Sequence, residues 1–441
     1  MSLHQSVHRM PGMILTERVF EVPLDHAAPD GERIEVFGRI ATAPGGEDRP
    51  LMVYLTGGPG FEAPRPQPSA GPVELGGWLG RALQDYRVLL LDQRGTGRST
   101  PLDRHSLPER GTPEQQAEFL ACFRADSIVR DCELIRAEIN DGEPWSVLGQ
   151  SFGGFCVTTY LSIAPQGLSQ ALICGGLPGL DVEADGVYRA AYPRMRRASL
   201  EYYARYPEDV DRVRRIAGRL RETETLLPNG AILTAEAFQG LGIILGRAGG
   251  EESLHYIVES AFSAPGGGML LRDRFLEQVH AVLSLAANPL YAVVHESIYG
   301  QGAPATAWSA DRTRREFPEF DVDAALADPE RPVLLTAEAY YPWHFDTDPA
   351  LRPLRETAHA LAERTDWPQL YDPAVLAANE VPTAAVVYLD DLYVELSHSL
   401  RTADAIKGLR YWATNDYRHD GLRASGDVVI DRLLRMNAGA I

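Results

Sequence analysis

The chain has 441 residues, of which 45% are hydrophobic and 23% are charged, a composition that excludes disordered, collagen-like and coiled-coil proteins. Its 42 basic residues against 61 acidic ones give a formal net charge of −19, which argues against nucleic acid and anionic lipid as partners because both are negatively charged. The length exceeds that of most single hydrophobic cores, so we expect a main domain and a sizeable second unit.

Membrane and redox signals are weak in this sequence. No apolar run approaches the ~20 residues that a membrane-spanning helix requires, and the N-terminal residues lack the layout of a signal peptide. We therefore expect a cytoplasmic protein that does not associate with membranes. The cysteines are scattered and form no CxxC pair, which predicts reduced structural thiols and no bound metal. They are Cys122, Cys132, Cys156 and Cys174.

The first part of the chain alternates strand-like and helical segments. Strands are predicted at 17–22, 33–41, 51–55, 86–91, 145–148 and 171–174, with a helical stretch at 113–139 and a helix from 152 to 160. The apolar run at 86–91 is typical of a strand that is buried on both faces of a parallel sheet. Alternation of this kind requires crossover connections and predicts a doubly wound, mostly parallel α/β sheet.

From about residue 180 to 380 the alternation stops and helical periodicity takes over. Two apolar faces are predicted, one formed by Val210, Val213, Ile216 and Leu220 and one formed by Phe275, Val279 and Val282. A structureless loop of this length would be exceptional, so the segment predicts an inserted, mainly helical cap domain that is interrupted by the glycines at 266–268.

Strand and helix signals return after this segment, at 383–389, 409–413 and 427–436. The sheet is therefore expected to close after the insertion. We predict a core formed by residues 1–180 and 381–441, with the cap at 181–380.

The sequence GQSFG at 149–153 matches the pattern G-x-S-x-G. It follows a predicted strand and precedes a predicted helix, which is the context of the nucleophile elbow in the α/β-hydrolase fold. The glycines are needed because the serine occupies a sharp, strained turn in which neighbouring side chains would clash. We therefore predict this fold, with Ser151 as the nucleophile.

A serine hydroxyl needs a base and an orienting acid, and in this fold they follow the serine in the order acid, then histidine. Asp390 and Asp391 end the predicted strand at 383–389, and His419 is the last histidine of the chain, in a loop after the following strand. We favour Asp391 as the acid, with Asp390 as a residue that could cap the turn. His398 follows the acid too closely and is interpreted as a surface residue.

The glycine-rich sequence TGGPG at 56–60 directly follows a predicted strand. Such a turn brings backbone N–H groups close to the nucleophile, so Gly57 and Gly58, together with Phe152, are predicted to form the oxyanion hole. The alternative is a plain turn, because these residues are strong turn formers by themselves.

Several motifs together resemble the proline iminopeptidase (prolyl aminopeptidase) family, in particular its longer-chain branch. They are GGPG at 57–60, DQRGTGRS at 92–99, GQSFGG at 149–154, YLDDLYV at 388–394 and TNDYRHDGLR at 414–423. Members of that family release an N-terminal proline from peptides through an acyl-enzyme, without a metal ion. The resemblance implies a catalytic triad of Ser151, Asp391 and His419, no cofactor, and small peptides with a free N-terminal proline as substrates. One departure is Thr56, where the family usually has a histidine that braces the loop.

Two segments of the insertion, HESIY at 295–299 and TAEAYYPW at 336–343, are similar to family positions that bind the substrate. The resemblance implies that carboxylates bind the free amine and that aromatic rings pack on the pyrrolidine ring. The residues concerned are Glu296 and Glu338 for the amine and Tyr340, Tyr341 and Trp343 for the ring. Without the resemblance, the glutamates would be interpreted as solvated surface residues and the aromatic residues as cap core.

Two other functions stay open from the sequence. A triad determines acyl transfer but not the acyl group, so a broader aminopeptidase or an esterase of the same fold is an alternative. A catalytically inactive binding protein is a further alternative, although the complete set of Ser151, Asp391 and His419 argues against it. The oligomeric state is not predicted.

Overall fold

The computed structural model describes residues 2–67, 77–262, 270–302 and 304–441. The predicted glycine break at 266–268 lies outside these residues. Within the described ranges the strands are β1 Ser2–Met10, β2 Met13–Pro23, β3 Arg33–Thr42, β4 Leu51–Leu55, β5 Arg87–Leu91, β6 Trp145–Gln150, β7 Leu168–Cys174, β8 Thr383–Tyr388 and β9 Arg410–Thr414.

The α-helices flank this sheet or lie between β7 and β8. They are α1 Gly77–Ala82, α2 Pro113–Ala121, α3 Ala125–Ile139, α4 Phe152–Ile163, α5 Ala184–Arg205, α6 Glu208–Glu222, α7 Ala235–Gln239, α8 Gly250–Glu259, α9 Asp273–Leu283, α10 Leu290–Val293, α11 Ser309–Arg314, α12 Val322–Ala327, α13 His344–Thr347, α14 Arg355–Ala362, α15 Pro373–Ala377, α16 Leu396–Ala405, α17 Gly421–Ala424 and α18 Gly426–Asn437. Short 3₁₀ turns lie at Leu107–Arg110, Pro165–Gly167, Gly240–Gly246, Glu296–Tyr299, Pro318–Phe320 and Arg352–Leu354.

All the described strands belong to one sheet, in the order β1-β2-β3-β5-β4-β6-β7-β8-β9. The pairs β1/β2, β2/β3 and β3/β5 are antiparallel, whereas every pair from β5/β4 to β8/β9 is parallel. The predicted mostly parallel α/β sheet is therefore confirmed. Strand β1 was not predicted, because its sequence is polar and it pairs only with β2 at the edge of the sheet.

Hydrophobic clusters cover both faces of the sheet. In β4, Leu51, Val53 and Leu55 pack into one cluster, whereas Met52 and Tyr54 pack into the cluster on the opposite face, because successive side chains of a strand point to opposite sides. Helices α3 and α4 cover the first face, and α18 covers the second. Burial on both faces explains why the strand sequences are continuously apolar rather than alternating.

The segment between β7 and β8 contributes to two cores. The predicted faces on α6 and α9 are confirmed, since both helices pack into a cluster that consists almost entirely of residues from this segment. Residues of α10 and of α14, in contrast, pack into the cluster on the first face of the sheet. Part of the insertion thus forms its own hydrophobic core, and part of it packs against the sheet. The domain boundaries at 180 and 380 stay predictions.

Among the described residues, no helix combines the length and the apolarity that crossing a membrane would require.

Candidate active site

Ser151 lies in the turn between β6 and α4, with a backbone φ of 55° and ψ of −124°. A positive φ is strained for a residue with a side chain, and such strain persists only where the surroundings impose it. A Cβ atom at Gly149 would lie 2.3 Å from the carbonyl oxygen of Gly153, and one at Gly153 would lie 2.0 Å from that of Leu55. Both positions therefore require glycine, as the elbow motif predicts.

A continuous hydrogen-bonded chain connects this serine to a buried acid. His419 Nε2 is 2.8 Å from Ser151 Oγ, and His419 Nδ1 is 2.7 Å from Asp391 Oδ2. The other oxygen of Asp391, Oδ1, accepts the N–H groups of Tyr393 at 2.8 Å and Val394 at 3.0 Å. Because a carboxylate can only accept, the hydrogen is on Nδ1 and Nε2 is free to accept the serine proton.

The environment of His419 sets its proton affinity. Burial by itself lowers the pKa of His419, but the negative charge of Asp391 and the hydrogen bond to it act in the opposite direction, and the charge of Glu338 adds to them. The net result is a pKa above the ordinary histidine value. His419 is therefore a somewhat stronger base than a free imidazole, held in one orientation.

The alternatives to these residues lie elsewhere. Asp390 forms an ion pair with Arg197 on the surface instead of capping the turn. His398 is half-buried on α16, and burial lowers its pKa to about 4. Neither residue makes a described contact with Ser151. The geometry thus brings together the serine, aspartate and histidine in the order expected along the chain.

The glycine-rich loop after β4 passes directly over the nucleophile. A Cβ atom at Gly57 would lie 2.8 Å from Ser151 Cβ and 2.7 Å from Gln150 Oε1, so this close approach requires glycine. Gly57 and Gly58 both line the same cavity as Ser151. Phe152 is the first residue of α4, where backbone N–H groups have no acceptor within the helix. The predicted oxyanion donors therefore lie beside the serine.

Two residues of the DQRG sequence anchor this loop and the chain that follows it. Gln93 Nε2 donates to the carbonyl oxygen of Thr56 at 3.1 Å. Asp92 is fully buried. Its carboxylate accepts hydrogen bonds from Nη1 and Nη2 of Arg65, at 2.7 and 2.8 Å, and from the N–H of Ala63 at 3.1 Å. The Gln93 contact holds the loop at position 56, and the Asp92 contacts anchor the chain that follows the loop. The sequence of this motif resembles the family's but gives no sign of these contacts.

A cavity of about 1000 Å³ lies above Ser151 and His419, between the carboxyl ends of the strands and the insertion. This is the position at which open α/β sheets bind their ligands. Glu338 and Tyr340 line the cavity, as the resemblance implies. Within the described part of the chain, no group of three or more His, Cys, Asp or Glu residues could hold a metal ion.

Glu338 is the acidic residue that the insertion presents to this cavity close to the triad. Its carboxylate accepts a hydrogen bond from the hydroxyl of Tyr291, whose ring packs edge-on against that of Tyr340 at 5.2 Å. Burial raises the pKa of Glu338 above its ordinary value. A carboxylate in such an aromatic surrounding gains most from a cationic partner.

Glu296 is placed differently, and its predicted substrate contact is corrected. It is buried, and its two oxygens accept the N–H groups of Ser309 at 3.0 Å and Ala310 at 2.9 Å, at the start of α11. Among the described residues that line the cavity, Glu296 is absent. The carboxylate therefore caps a helix N-terminus, where an acceptor satisfies N–H groups that have no partner within the helix.

Tyr341 and Trp343 are likewise absent from the described cavity wall. Their rings stack on each other at 5.3 Å within the cluster of the insertion, and the hydroxyl of Tyr341 lies 3.1 Å from that of Tyr192. They are core residues of the insertion, which agrees with the alternative interpretation of these aromatic residues as cap core. Tyr340 and Tyr341 pack on opposite sides of one short segment, so Tyr340 lines the cavity and Tyr341 lies in the core of the insertion.

Sequence reasoning missed two tyrosines of the cavity. Tyr393 packs edge-on against His419 at 4.8 Å between ring centres and lines the cavity. It lies in the motif YLDDLYV, two residues after Asp391, so its position next to the acid could have indicated that it lies near the site. Tyr291, the donor to Glu338, lies in no motif, and only the contact across the cavity identifies it.

The sheet order, the strained Ser151 and its connection through His419 to Asp391 define an α/β hydrolase. In agreement, residues 50–215 match the family described as alpha/beta hydrolase fold. The chain is 45% identical over 432 residues to a proline iminopeptidase of Aeromonas sobria, with 97% of each chain covered. It is 35% identical over 444 residues to proline iminopeptidase aneH of Aspergillus aculeatus, covering 98% of this chain and 96% of that protein. The chain therefore belongs to the proline iminopeptidase family, which confirms the resemblance.

The solved structure of a proline iminopeptidase from Mycobacterium smegmatis also matches, with 14% identity, a TM-score of 0.41, and coverage of 96% of this chain and 100% of that one. At that score the match adds no argument to the sequence comparison.

Proposed function

We propose that this hydrolase is a serine aminopeptidase that releases an N-terminal proline from small peptides, with Ser151 as nucleophile, His419 as base and Asp391 as orienting acid. The observation that carries the proposal is that the activated serine and the half-buried carboxylate of Glu338 face one cavity. The cytoplasmic location expected from the sequence stays a prediction.

In the acylation step, Ser151 Oγ attacks the carbonyl carbon of the substrate proline while His419 Nε2 takes the hydroxyl proton. The negative charge that develops on the carbonyl oxygen is stabilised by the N–H groups of Gly57 or Gly58 and of Phe152. His419 then donates its proton to the departing amine, the C–N bond breaks, and proline stays bound to Ser151 as an ester.

In the second step, a water molecule replaces the departed amine next to His419. The imidazole takes a proton from this water, the hydroxide oxygen attacks the ester carbon, and the Ser151 oxygen leaves and recovers the proton. Asp391 stays ionised throughout, because its function is to orient the imidazole and to stabilise its protonated form.

Selectivity for a free amino end is assigned to Glu338. An N-terminal proline carries a protonated secondary amine, and a charge-assisted hydrogen bond to a carboxylate is strengthened where water is excluded. The described hydrogen-bond donor to Glu338, the hydroxyl of Tyr291, is neutral, so a substrate cation would offset the charge of this carboxylate. Tyr340 and Tyr291 offer aromatic faces for the pyrrolidine ring.

The test is a hydrolysis panel of prolyl arylamide, N-acetyl-prolyl arylamide, other aminoacyl arylamides and a simple aryl ester. We expect prolyl arylamide to be cleaved fastest of the amides and the acetylated compound to be cleaved poorly. Equal cleavage of the acetylated and free prolyl compounds would contradict the aminopeptidase proposal and favour a general esterase. Failure to cleave any member of the panel would favour a binding protein.

A further inference from the structure

Two exposed arginines, Arg247 and Arg423, line the cavity that contains Ser151. Within the described ranges, neither guanidinium forms an ion pair or a hydrogen bond. Arg418, which is next to His419 in sequence, behaves differently because it pairs with Glu251 at 3.2 Å. In a protein with a net charge of −19, two unpaired cations at the active-site cavity are available to an anionic ligand.

Backbone hydrogen bonds hold both arginines next to the catalytic histidine. The carbonyl oxygen of Gly246 accepts the N–H of His419 at 2.9 Å, and the N–H of Ala248 donates to Asp420 Oδ2 at 3.0 Å. Arg247 lies between these two anchor points. The N–H of Arg423 donates to the carbonyl oxygen of Asp420 at 2.9 Å. Arg247 therefore directly follows a residue whose backbone contacts His419, and Arg423 is hydrogen-bonded to the residue after His419.

The proposed reaction determines which part of a substrate lies there. His419 gives its proton to the departing amine, so the residue that follows proline must lie beside His419. In a dipeptide the carboxylate carbon is only ~2.5 Å from that amine nitrogen, and each further residue adds at most ~3.6 Å. The C-terminal carboxylate of a short peptide thus falls near the part of the cavity wall that carries the arginines, while the ammonium group faces Glu338.

Carboxylates on the same wall accept hydrogen bonds from backbone N–H groups or from a side-chain amide. Asp420 accepts the N–H of Ala248 through Oδ2, and Asp348 accepts that of Ala350 at 2.8 Å. Glu62 accepts the side-chain amide of Asn288 at 3.0 Å. Each of these acids has a described donor other than the two arginines, whereas Asp420 Oδ1 is buried without a described hydrogen-bond partner.

We propose that Arg247 and Arg423 bind the C-terminal carboxylate of the substrate, so that the enzyme favours dipeptides and tripeptides with a free C-terminus. The proposal rests on the proposed aminopeptidase function, which places the leaving group beside His419. Guanidinium groups suit this ligand because they donate two parallel hydrogen bonds to a carboxylate. Since both side chains are exposed, we expect a preference of about tenfold rather than an absolute requirement.

The experiment measures kcat/KM for Pro-Ala, Pro-Ala amide and Pro-Ala-Ala in the parent enzyme, in Arg247→Ala, in Arg423→Ala and in the double variant. The parent should cleave Pro-Ala about tenfold better than its amide, and in the double variant this ratio should fall to about one. Arg401→Ala is the matched control, because Arg401 is exposed on α16 and lies outside the described cavity wall. It should keep the parent ratio. Prolyl arylamide, which has no carboxylate, reports on the triad in every variant.

Equal cleavage of Pro-Ala and its amide by the parent, with prolyl arylamide still hydrolysed, would overturn the carboxylate site and leave the aminopeptidase function intact. A parent that cleaves none of the proline compounds would instead contradict the proposed function. An equal loss of the ratio in Arg401→Ala would also overturn the inference, since the effect would then reflect overall charge.

Discussion

The loops at the carboxyl ends of the strands and the segment between β7 and β8 both contain buried carboxylates, but the two regions use them differently. Asp391 accepts two backbone N–H groups through one oxygen and keeps the other for His419. Glu296 accepts two backbone N–H groups with both of its oxygens. Asp391 thus keeps one oxygen for His419, whereas both oxygens of Glu296 are directed at the start of α11 and away from the cavity.

Glu338 is the intermediate case. Its described hydrogen-bond donor is the hydroxyl of Tyr291, and its side chain lines the cavity. The comparison predicts a different effect for each acid when it is neutralised. Asp391 should lose catalysis, Glu296 should lose stability, and Glu338 should lose recognition of the amine.

The largest effect is expected for the nucleophile itself. Ser151→Ala should lower kcat on prolyl arylamide by about 10⁴ to 10⁶, to the residual rate that the oxyanion hole and substrate binding supply. A serine-directed phosphonate should label Ser151 in the parent and fail to label the variant. Ser397→Ala, an exposed position on α16, is the control and should behave like the parent. Full activity in Ser151→Ala would exclude the proposed mechanism.

The next effect separates the adjacent aspartates. Asp391→Asn should lower kcat by about 10⁴ with the fold retained, because an amide in place of the carboxylate favours the wrong histidine tautomer. Asp390→Asn should change kcat little, since it removes only a surface ion pair with Arg197. The measurement is steady-state turnover of prolyl arylamide, with circular dichroism to verify folding. If Asp390→Asn is the damaging substitution, the assigned acid is one residue off.

The two glutamates of the insertion give the sharpest contrast. Glu338→Gln should lower kcat/KM for prolyl arylamide by about one to two decades, the loss of one charge-assisted hydrogen bond. Glu296→Gln should leave kcat/KM near the parent value but lower the free energy of unfolding by about 1–3 kcal/mol, because an amide has one acceptor oxygen for two buried N–H groups.

Kinetics and thermal unfolding of both variants measure this contrast. An aryl ester without an amine is the control substrate, and at a pH where His419 is neutral in every variant both variants should hydrolyse it like the parent. A loss of amine recognition in Glu296→Gln with unchanged stability would reverse the assignment of these two residues.

The smallest expected effect concerns pH. Because the pKa of His419 is raised above its ordinary value, and only the neutral imidazole can accept the serine proton, activity should fall as the pH decreases through this raised pKa. Removing the negative charge in Glu338→Gln lowers the pKa of His419, so the acidic limb should move to lower pH. The profile is measured on an aryl ester, which has no amine to titrate. A limb that moves to higher pH would contradict the electrostatic contact between Glu338 and His419.

The success of sequence reasoning differs between the two regions for a physical reason. In the core, the elbow serine, the acid and the histidine each follow a strand, and the carboxyl ends of parallel strands meet at one edge of the sheet. Recognising strands was therefore enough to predict that Ser151, Asp391 and His419 could meet. Strand β1 escaped prediction because a polar strand at an edge has no apolar pattern.

By itself the sequence determined the class of fold and predicted the nucleophile with its two glycines and the order of acid and base, since these depend on local patterns and on chain order. The tertiary structure decided which insertion residues face the cavity. Glu296 meets Ser309 and Glu338 meets Tyr291 through the packing of segments that lie far apart along the chain. Tyr340 and Tyr341, adjacent in sequence, end in different hydrophobic clusters. The availability of Arg247 and Arg423 likewise depends on the absence of described partners around them, which no local pattern encodes.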